Sequence, residues 1–241
     1  MLNINLATRQ LEPELMDDPM LDRLDHRQAL GGLARAHAFS RTASQIWNQI
    51  QSSSALKNRK AFSILDVGCG DGYLLRKIHQ LAGRAGKEVS LTGCDFSAAA
   101  IEFAREAANE ATVPIDFCQL DVLKDELTQA DVVINSLFLH HFSERDAVNI
   151  LQKFASVATE LVVVQDLART KLGYGLCFVA TRLLSRSRIV HVDGLLSVKA
   201  AFTVAEFQRM LRAAGIRQAK INKHWPERVT IIWPTSQKEL L

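Results

Sequence analysis

Three glycines and an aspartate form the most chemically informative pattern in this chain. Gly68, Gly70 and Gly72 follow an apolar, β-like stretch, and Asp66 stands two positions before the first of them. Because glycine has no Cβ, such a turn lets the backbone approach a nucleotide-like ligand closely, and Cys69 within the turn is predicted to line the same site. The spacing is G-x-G-x-G, whereas dinucleotide sites use G-x-G-x-x-G. A carboxylate at this point would repel a pyrophosphate, so it favours a ligand that carries a cationic amine.

Two further acidic residues follow predicted strands. Asp95 is placed to accept hydrogen bonds from ribose hydroxyls, and Phe96 beside it to lie against an adenine face. A second interpretation makes Ser97 the N-cap of the next helix, with Asp95 merely near the helix dipole. Asp121 comes after the third strand, where its carboxylate would accept an adenine amino hydrogen and Val122 would line the site. The alternative for Asp121 is an ordinary loop aspartate.

Candidate general bases follow the fourth predicted strand. That strand leads into Asn135 and Ser136, which are predicted to line the cofactor site, and then into His140 and His141. A histidine titrates near neutral pH and can remove a phenolic proton from an acceptor. The structural alternative is that one of the two histidines caps or packs against the next helix, and His141 could simply line the site.

Five other polar residues are candidates for contacts with an acceptor or for a lid. Asp166 and Arg169 end the fifth strand, where they would orient the acceptor or form an ion pair that anchors the next segment. His191 and Asp193 lie among apolar residues of that segment and suit a lid, with a solvated loop as the alternative. Arg41 recurs with two other basic residues along a predicted N-terminal helix, which would either close the site from above or face solvent.

The elements that must position these residues alternate between strand and helix from about residue 62 onward. This alternation predicts a doubly wound α/β fold with a seven-stranded, mostly parallel sheet, and ligands in such sheets bind beyond the carboxyl ends of the strands. The last two strands are separated only by a short turn at Pro226, which predicts an antiparallel terminal hairpin. The predicted strands are 62–67, 89–94, 115–120, 131–135, 161–166, 218–223 and 229–233, and the predicted helices are 72–82, 98–109, 144–158 and 204–214.

Two segments fall outside the alternation. Residues 1–60 read as an acidic start followed by a helix-rich region, which predicts an N-terminal helical cap segment. Residues 61–241 are predicted to form the α/β domain, with a lid insertion at about 168–200. Thr203 after the insertion, with Glu206 three positions later, has the spacing of a capping box.

Composition narrows the class of protein. A hydrophobic fraction of 48% and a charged fraction of 23% are typical of a globular chain with a sizeable core, and a net charge of +3 does not argue for nucleic acid. The four cysteines show neither a CxxC pair nor metal-ligand spacing, so we expect reduced thiols and no metal. The longest apolar stretch is too short to cross a bilayer and the N-terminus lacks a signal-peptide core. We therefore expect a cytoplasmic protein with no stable membrane insertion.

The motif series resembles that of class I S-adenosylmethionine-dependent methyltransferases. The resemblance covers about residues 62–166 and rests on ILDVGCGDG, GCDFS, LDV and DVVINSLFLHHF, in that order. It implies a Rossmann-like methyltransferase fold with the terminal hairpin, S-adenosyl-L-methionine as cofactor and S-adenosyl-L-homocysteine as product. It also implies that the three glycines flank the methionine and ribose parts, that Asp95 holds the ribose and that Asp121 holds the adenine. A narrower similarity is to bacterial methyltransferases of quinone- and polyketide-type phenols.

Several functions are compatible with these features. The leading hypothesis is transfer of a methyl group to a small-molecule acceptor, most simply an aromatic or lipid-like hydroxyl. Alternatives are C-methylation of a quinone-type ring, a cofactor-binding protein without catalysis, and an NAD-dependent oxidoreductase. The third glycine's spacing weighs against the oxidoreductase. Against nucleic acid as partner, the chain after the fourth strand lacks an Asn/Asp-Pro-Pro-aromatic signature, and its basic residues are scattered.

Overall fold

A computed structural model describes residues 5–18 and 20–235 of the chain. Within these residues the chain forms seven strands and eight α-helices, which confirms the predicted alternation. The strands are β1 (Ala61–Val67), β2 (Glu88–Asp95), β3 (Asp116–Gln119), β4 (Ala130–Ser136), β5 (Ala158–Leu167), β6 (Lys220–His224) and β7 (Arg228–Pro234). The helices are α1 (Arg23–Phe39), α2 (Thr42–Ser52), α3 (Tyr73–Arg84), α4 (Ala98–Glu110), α5 (Glu144–Val157), α6 (Lys171–Leu184), α7 (Arg188–Ala200) and α8 (Val204–Ala213).

The strands form one sheet in the order β3-β2-β1-β4-β5-β7-β6. The pairs among β1 to β5 are parallel, whereas β7 is antiparallel to both β5 and β6. This confirms the predicted mostly parallel sheet with an antiparallel terminal hairpin. The chain proceeds from β1 outward to β3 and then returns to place β4 on the other side of β1. The switch point between β1 and β4 is where sheets of this kind bind ligands.

Each face of the sheet carries its own buried core. On one face, α5 and α8 pack with Phe154, Phe207 and Met210 against Val162 and neighbouring strand residues. On the other face, α2 and α3 pack with Ile46, Trp47 and Leu75 against strand residues of the opposite parity, such as Ile64 and Ile134. Alternate residues of a strand point to opposite faces, so a residue's parity decides which helices cover it.

Helices also occupy the two segments that the alternation did not explain. The N-terminal region contains α1 and α2, as the helical pattern predicted. The 168–200 insertion consists of α6 and α7, so the alternative of a solvated loop is wrong: Asp193 lies within α7 and is buried. Whether residues 1–60 act as a cap and the insertion as a lid stays a prediction. In the described part of the chain, no helix has the length and apolar character needed to cross a membrane.

Two helix N-termini follow the predicted capping chemistry. Ser97 caps α4 by accepting a hydrogen bond from the backbone N–H of Ala100. Thr203 and Glu206 form a complete capping box at the start of α8. Such caps satisfy backbone donors that have no partner within the helix, and they fix where the preceding loop ends.

Candidate active site

The three glycines of the run all adopt the left-handed backbone conformation. The φ angles of Gly68, Gly70 and Gly72 are +75°, +53° and +69°. The turn is held to β2 because the backbone N–H groups of Gly68 and Cys69 donate to the carbonyl oxygen of Cys94, at 2.8 and 3.0 Å. Side chains with a Cβ rarely adopt this conformation, so the run forms a tight turn that other residues would strain.

Two apolar side chains lie directly over this turn. A Cβ on Gly68 would lie 2.8 Å from Cγ of Phe138, which leaves no space for a side chain. A Cβ on Gly70 would lie 3.8 Å from a methyl carbon of Leu30, a buried residue of α1. The N-terminal helix therefore covers the turn, and the segment after β4 borders it.

Asp95 joins the end of β2 to the glycine turn. Its carboxylate accepts hydrogen bonds from the backbone N–H of Gly70 and from that of Ser97, both at 2.9 Å. Ser97 is therefore the N-cap of α4, as one interpretation predicted, while the ribose role of Asp95 stays a prediction. Phe96 is 68% exposed, and its contact with adenine likewise stays a prediction.

Asp121 and Val122 follow β3, at the same edge of the sheet. The Asp121 carboxylate accepts from the backbone N–H of Leu123 at 3.0 Å and pairs with Lys124 at 2.8 Å. The hydrogen bond from Lys124 holds the pKa of Asp121 below its usual value. Val122 is buried in the core. Asp121 therefore already has local partners, as an ordinary loop aspartate would.

Buried polar atoms without partners mark the switch point between β1 and β4. Within the described residues, Oδ1 of Asp66, Oδ1 of Asn135 and Oγ of Ser136 are buried and form no hydrogen bond. Nδ2 of Asn135 donates to the carbonyl oxygen of Val67 at 2.6 Å, which fixes the side chain. Burial, and then the charge of Asp95, raise the pKa of Asp66 well above its usual value. A buried acceptor usually has a donor, so these atoms fit a ligand that supplies donors, such as an ammonium group. We call Asp66, the three glycines and Asp95 the glycine edge.

A second group of charged side chains lies beyond β4 and β5. The ring Nδ1 of His140 lies 2.6 Å from Oδ1 of Asp166, and its Nε2 lies 3.7 Å from Oε1 of Glu14. The backbone N–H of His140 also donates to Asp166, at 3.2 Å. His140 is 2% exposed, and Asp166 is similarly buried. We call Glu14, His140 and Asp166 the ionic cluster.

The ionic cluster shifts the pKa of each of its members. Burial alone would lower the pKa of His140, but Asp166 and then Glu14 outweigh it and raise the pKa to about 10. Burial likewise raises the pKa of Asp166 and Glu14, but pairing with His140 more than offsets it, so both lie below their usual values. At neutral pH the cluster therefore contains a protonated imidazole between two carboxylates.

His141 lies next to this cluster and borders a cavity. Its ring stacks on that of His140, with centroids 4.4 Å apart. A cavity of about 340 Å³ is lined by both histidines together with Glu14, Leu11, Glu12, Pro13 and Ala200. Glu14, His140 and His141 also offer ligand atoms that all lie within 4.8 Å of one another, a spacing that a metal ion can bridge. The expectation of no metal thus stays a prediction.

The expected pairing of Asp166 with Arg169 is wrong. Asp166 instead pairs with His140, on the other side of the strand end. Arg169 donates to Glu206 at 2.7 Å, to the carbonyl oxygen of Ala201 at 2.5 Å and to that of Leu6 at 3.1 Å. Arg169 therefore anchors the start of the insertion to α8, and it does so without Asp166.

The remaining predicted residues, Asp193, His191 and Arg41, lie within or next to the surrounding helices. Asp193 accepts hydrogen bonds from the backbone N–H groups of Leu15 and Met16, both at 2.9 Å, and so ties the N-terminal segment to α7. A ring nitrogen of His191 lies 2.8 Å from the carbonyl oxygen of Ser185. Arg41 does not continue α1 as predicted: it lies between α1 and α2, exposed, with a φ of +54°.

Sequence reasoning missed two residues of this region. Glu14 belongs to an acidic stretch with no local pattern, and only the fold brings it to His140. Arg228 opens the mostly apolar strand β7, yet it is only 6% exposed. A charged residue at the start of a buried strand is unusual, and this signal could have identified Arg228 from the sequence.

Comparison with known proteins shows which proteins this chain is similar to. A methyltransferase domain family matches residues 64–160. An O-methyltransferase of ubiquinone biosynthesis from Chelativorans sp. is 29% identical over 67% of this chain and 61% of its own length. A malonyl-[acyl-carrier protein] O-methyltransferase from Acetivibrio thermocellus is 30% identical over 44% of this chain and 36% of its own. The solved structure of a plantazolicin methyltransferase has a TM-score of 0.59 at 18% identity and covers 89% of this chain and 88% of that one.

Residues 64–160 of the chain therefore form a methyltransferase domain. The matched domain contains the glycine edge and both histidines, whereas Asp166, Arg169 and Arg228 lie beyond it. This chain spans about three fifths of the length of the ubiquinone-pathway relative. The match to this domain supports S-adenosylmethionine as the methyl donor, and the acceptor must be inferred from the residues around the cavity.

Proposed function

We propose that this methyltransferase transfers the methyl group of S-adenosylmethionine to a hydroxyl group of a small-molecule acceptor. The observation that carries the proposal is the glycine edge, where three left-handed glycines and two acidic residues meet at the switch point of the sheet. The two relatives named above are O-methyltransferases, and this supports oxygen as the methylated atom. No motif for nucleic acid accompanies this site.

The proposed cofactor residues are those of the glycine edge and their neighbours. Asp66, with its unpaired buried oxygen, would accept from the ammonium group of the cofactor, and Asp95 would hold the ribose. Phe96 would lie against the adenine, whose amino group Asp121 would bind after release from Lys124. The further members of the proposed set are Gly68, Cys69, Gly70, Gly72, Val122, Asn135 and Ser136.

The chemistry on the acceptor side requires alignment and a base. The bound cofactor supplies an electrophilic methyl group, and the protein must align the acceptor oxygen with it and exclude water. His140 already holds a proton between two carboxylates, so the structure argues against it as the base. We therefore place this role on His141, whose ring is partly exposed and borders the cavity. His140 would position the ring of His141 by stacking.

The two helical segments would enclose this site. Leu30 of α1 already lies over the glycine turn, which supports residues 1–60 as a cap. In α7, Asp193 holds the N-terminal segment, and this supports the insertion as a lid that is fastened to the cap. Arg169 would keep the base of the lid fixed.

Calorimetry with S-adenosylmethionine, S-adenosylhomocysteine and NAD tests the donor. Micromolar binding of the two sulfur compounds, with none for NAD, is the expected result; the reverse pattern would refute the proposal. Transfer of a labelled methyl group to a panel of catechols and phenols then tests catalysis. Binding without transfer to any oxygen acceptor, but with transfer to a quinone ring carbon, would move the reaction to C-methylation.

A further inference from the structure

A row of buried polar side chains crosses the sheet from the glycine edge to β7. In the strand register, Asp66 pairs with Ile134, Ser136 with Gln165, and Gln165 with Thr230. Because alternate residues face the same side, Asp66, Ser136, Gln165, Thr230 and Arg228 all face the side that α2 covers. Each of them is less than 9% exposed. We call these five residues the polar row.

Most members of the polar row lack part of their hydrogen bonding. Within the described residues, Oγ of Ser136, Oε1 of Gln165 and both Nε and Nη1 of Arg228 are buried without a partner. The amide nitrogen of Gln165 does donate, to Gln45 of α2 at 2.7 Å and to Thr230 at 3.1 Å, so the side chain is held in place. A polar row that is ordered but incompletely paired is the pattern of a surface that binds a ligand.

Arg228 is the most costly member of the row to leave unpaired. A buried guanidinium without a counter-ion loses its hydration and gains nothing in return. No carboxylate among the described residues lies within ion-pair distance of Arg228. Glu227 beside it accepts from the hydroxyl of Thr170 at 2.7 Å, and Asp166 on the opposite face is engaged by His140 and by the backbone N–H of Leu167.

Burial lowers the pKa of Arg228 to about 10, and the charge of Asp166 offsets only part of this effect. Burial, and then the charge of Arg228, lower the pKa of His37 on α1 to about 3, so this imidazole is neutral. Its Nδ1 is also buried without a partner among the described residues. Burial raises the pKa of the Cys177 thiol on α6 to about 11, so it too carries no charge at neutral pH. One unpaired positive charge thus lies beneath α1 and α6.

We propose that Gln165, Thr230 and Arg228, the members of the polar row beyond the proposed cofactor residues, form the acceptor-binding surface and that Arg228 binds a carboxylate group of the acceptor. This inference rests on the proposed methyltransferase function and narrows its substrate class to hydroxylated aromatic acids. A planar guanidinium matches a carboxylate in shape and charge. Neighbouring strands lie about 4.8 Å apart, so β7 is about 10 Å from β4. The acid group would therefore be separated from the methylated hydroxyl by a ring and a short linker.

Binding to the complex with S-adenosylhomocysteine tests this proposal. The probes are 3,4-dihydroxycinnamate and its methyl ester, measured by calorimetry. The wild-type complex should bind the acid about 10- to 100-fold more tightly than the ester, which is the loss expected for a charge-assisted hydrogen bond. The Arg228→Gln variant should lose this preference, and Arg228→Lys should retain part of it. Arg212→Gln, an exposed change on α8, should keep the full preference.

Three outcomes would overturn the inference while leaving the proposed function intact, and the third applies only when neither cinnamate binds. One is equal binding of acid and ester by a wild-type protein that binds S-adenosylhomocysteine. The second is an Arg228→Gln variant that melts cooperatively and still prefers the acid. If neither cinnamate binds, ¹⁵Nε spectra of the arginines during titration with benzoate and benzamide decide the matter, and no benzoate-specific shift of Arg228 would refute the proposal. Failure to bind S-adenosylhomocysteine would instead refute the function itself.

Discussion

The glycine edge and the ionic cluster lie at the same end of the sheet but are built in different ways. The glycine edge comes from one continuous stretch of chain, Asp66 to Asp95. It depends on the backbone conformation and the backbone N–H groups of its turn, where other residue types cannot replace the glycines. The ionic cluster joins residues 14, 140 and 166, and it depends on charges that only the complete fold brings together. The proposed cofactor side of the site therefore lies within one strand–helix–strand segment, whereas the ionic cluster also needs Glu14 from the N-terminal segment.

This difference has a functional consequence. A local turn can be kept while the surrounding helices change, so the same donor site can serve many acceptors. The ionic cluster and the polar row lie on opposite faces of the sheet at β5, and we propose that both border the acceptor. Changes in α6 or α7 would alter both while leaving the residues of the glycine turn unchanged. The predictions below separate the two regions by their response to substitution and pH.

Removal of His140 should have the largest effect on stability. His140→Gln leaves the buried Asp166 and the partly buried Glu14 without a positive partner, and breaking a buried pair in this way costs about 4 kcal/mol. Denaturant unfolding at pH 7 measures this loss. His79→Gln on α3 is the control and should cost less than about 1 kcal/mol. A loss similar to that of the control would show that the ionic cluster does not stabilise the fold.

The direction in which stability changes with pH provides a second test of the pairing between His140 and the two carboxylates. The pKa of His140 is raised from 6.5 to about 10, so its contribution is complete below pH 6.5 and is lost as the pH rises towards 10. The wild-type free energy of unfolding should therefore fall across this window, and His140→Gln should show a much smaller decrease. Parallel curves for the two proteins would contradict the pairing.

Gly68→Ala should be the next most damaging change, and it affects the other region. The added Cβ would overlap the Phe138 ring and hold an alanine at a φ of +75°. Crowding and left-handed strain together cost about 3 kcal/mol, and binding of S-adenosylhomocysteine should be lost. Gly86→Ala is a matched control, because Gly86 has a φ of +66° with nothing within 4 Å of the added carbon. Equal losses for the two variants would attribute the effect to backbone strain alone.

Asp95→Ala should weaken cofactor binding while changing the ionic cluster little. Loss of charge-assisted hydrogen bonds to the ribose costs about 2 kcal/mol of binding free energy, measured by calorimetry with S-adenosylhomocysteine. Asp116→Ala, an exposed change on β3, provides the control. The alkaline decrease in stability that His140 causes should persist in both variants. Unchanged affinity in Asp95→Ala would place the ribose elsewhere.

The same contrast explains how much of the molecule could be predicted from its sequence. Strand order at the hairpin, the caps at Ser97 and Thr203, and the glycine turn follow from local pattern, and all were predicted. The partner of Asp166 was predicted wrongly because Arg169 is its near neighbour in sequence, whereas His140 becomes its neighbour only through the pairing of β4 with β5. Glu14 was missed for the same reason, since no periodicity or spacing relates it to the site, whereas Arg228 was missed although a charged residue at the start of an apolar strand is a signal in the sequence.

The smallest predicted effect tests how the N-terminal segment reaches the ionic cluster. Asp193→Asn keeps the shape of the side chain but weakens its bonds to the N–H groups of Leu15 and Met16, which costs about 1 kcal/mol. Amide hydrogen exchange at these two residues should accelerate about five-fold, as that free energy implies. Asp22→Asn at the N-terminus of α1 is the control, with faster exchange confined to Leu24 and Asp25.

Because Glu14 immediately precedes Leu15, a looser segment should also lower the pKa of His140, and the alkaline decrease in stability would begin at lower pH. An unchanged alkaline decrease despite faster exchange would show that the hydrogen bond from Ser197 alone holds Glu14 against His140.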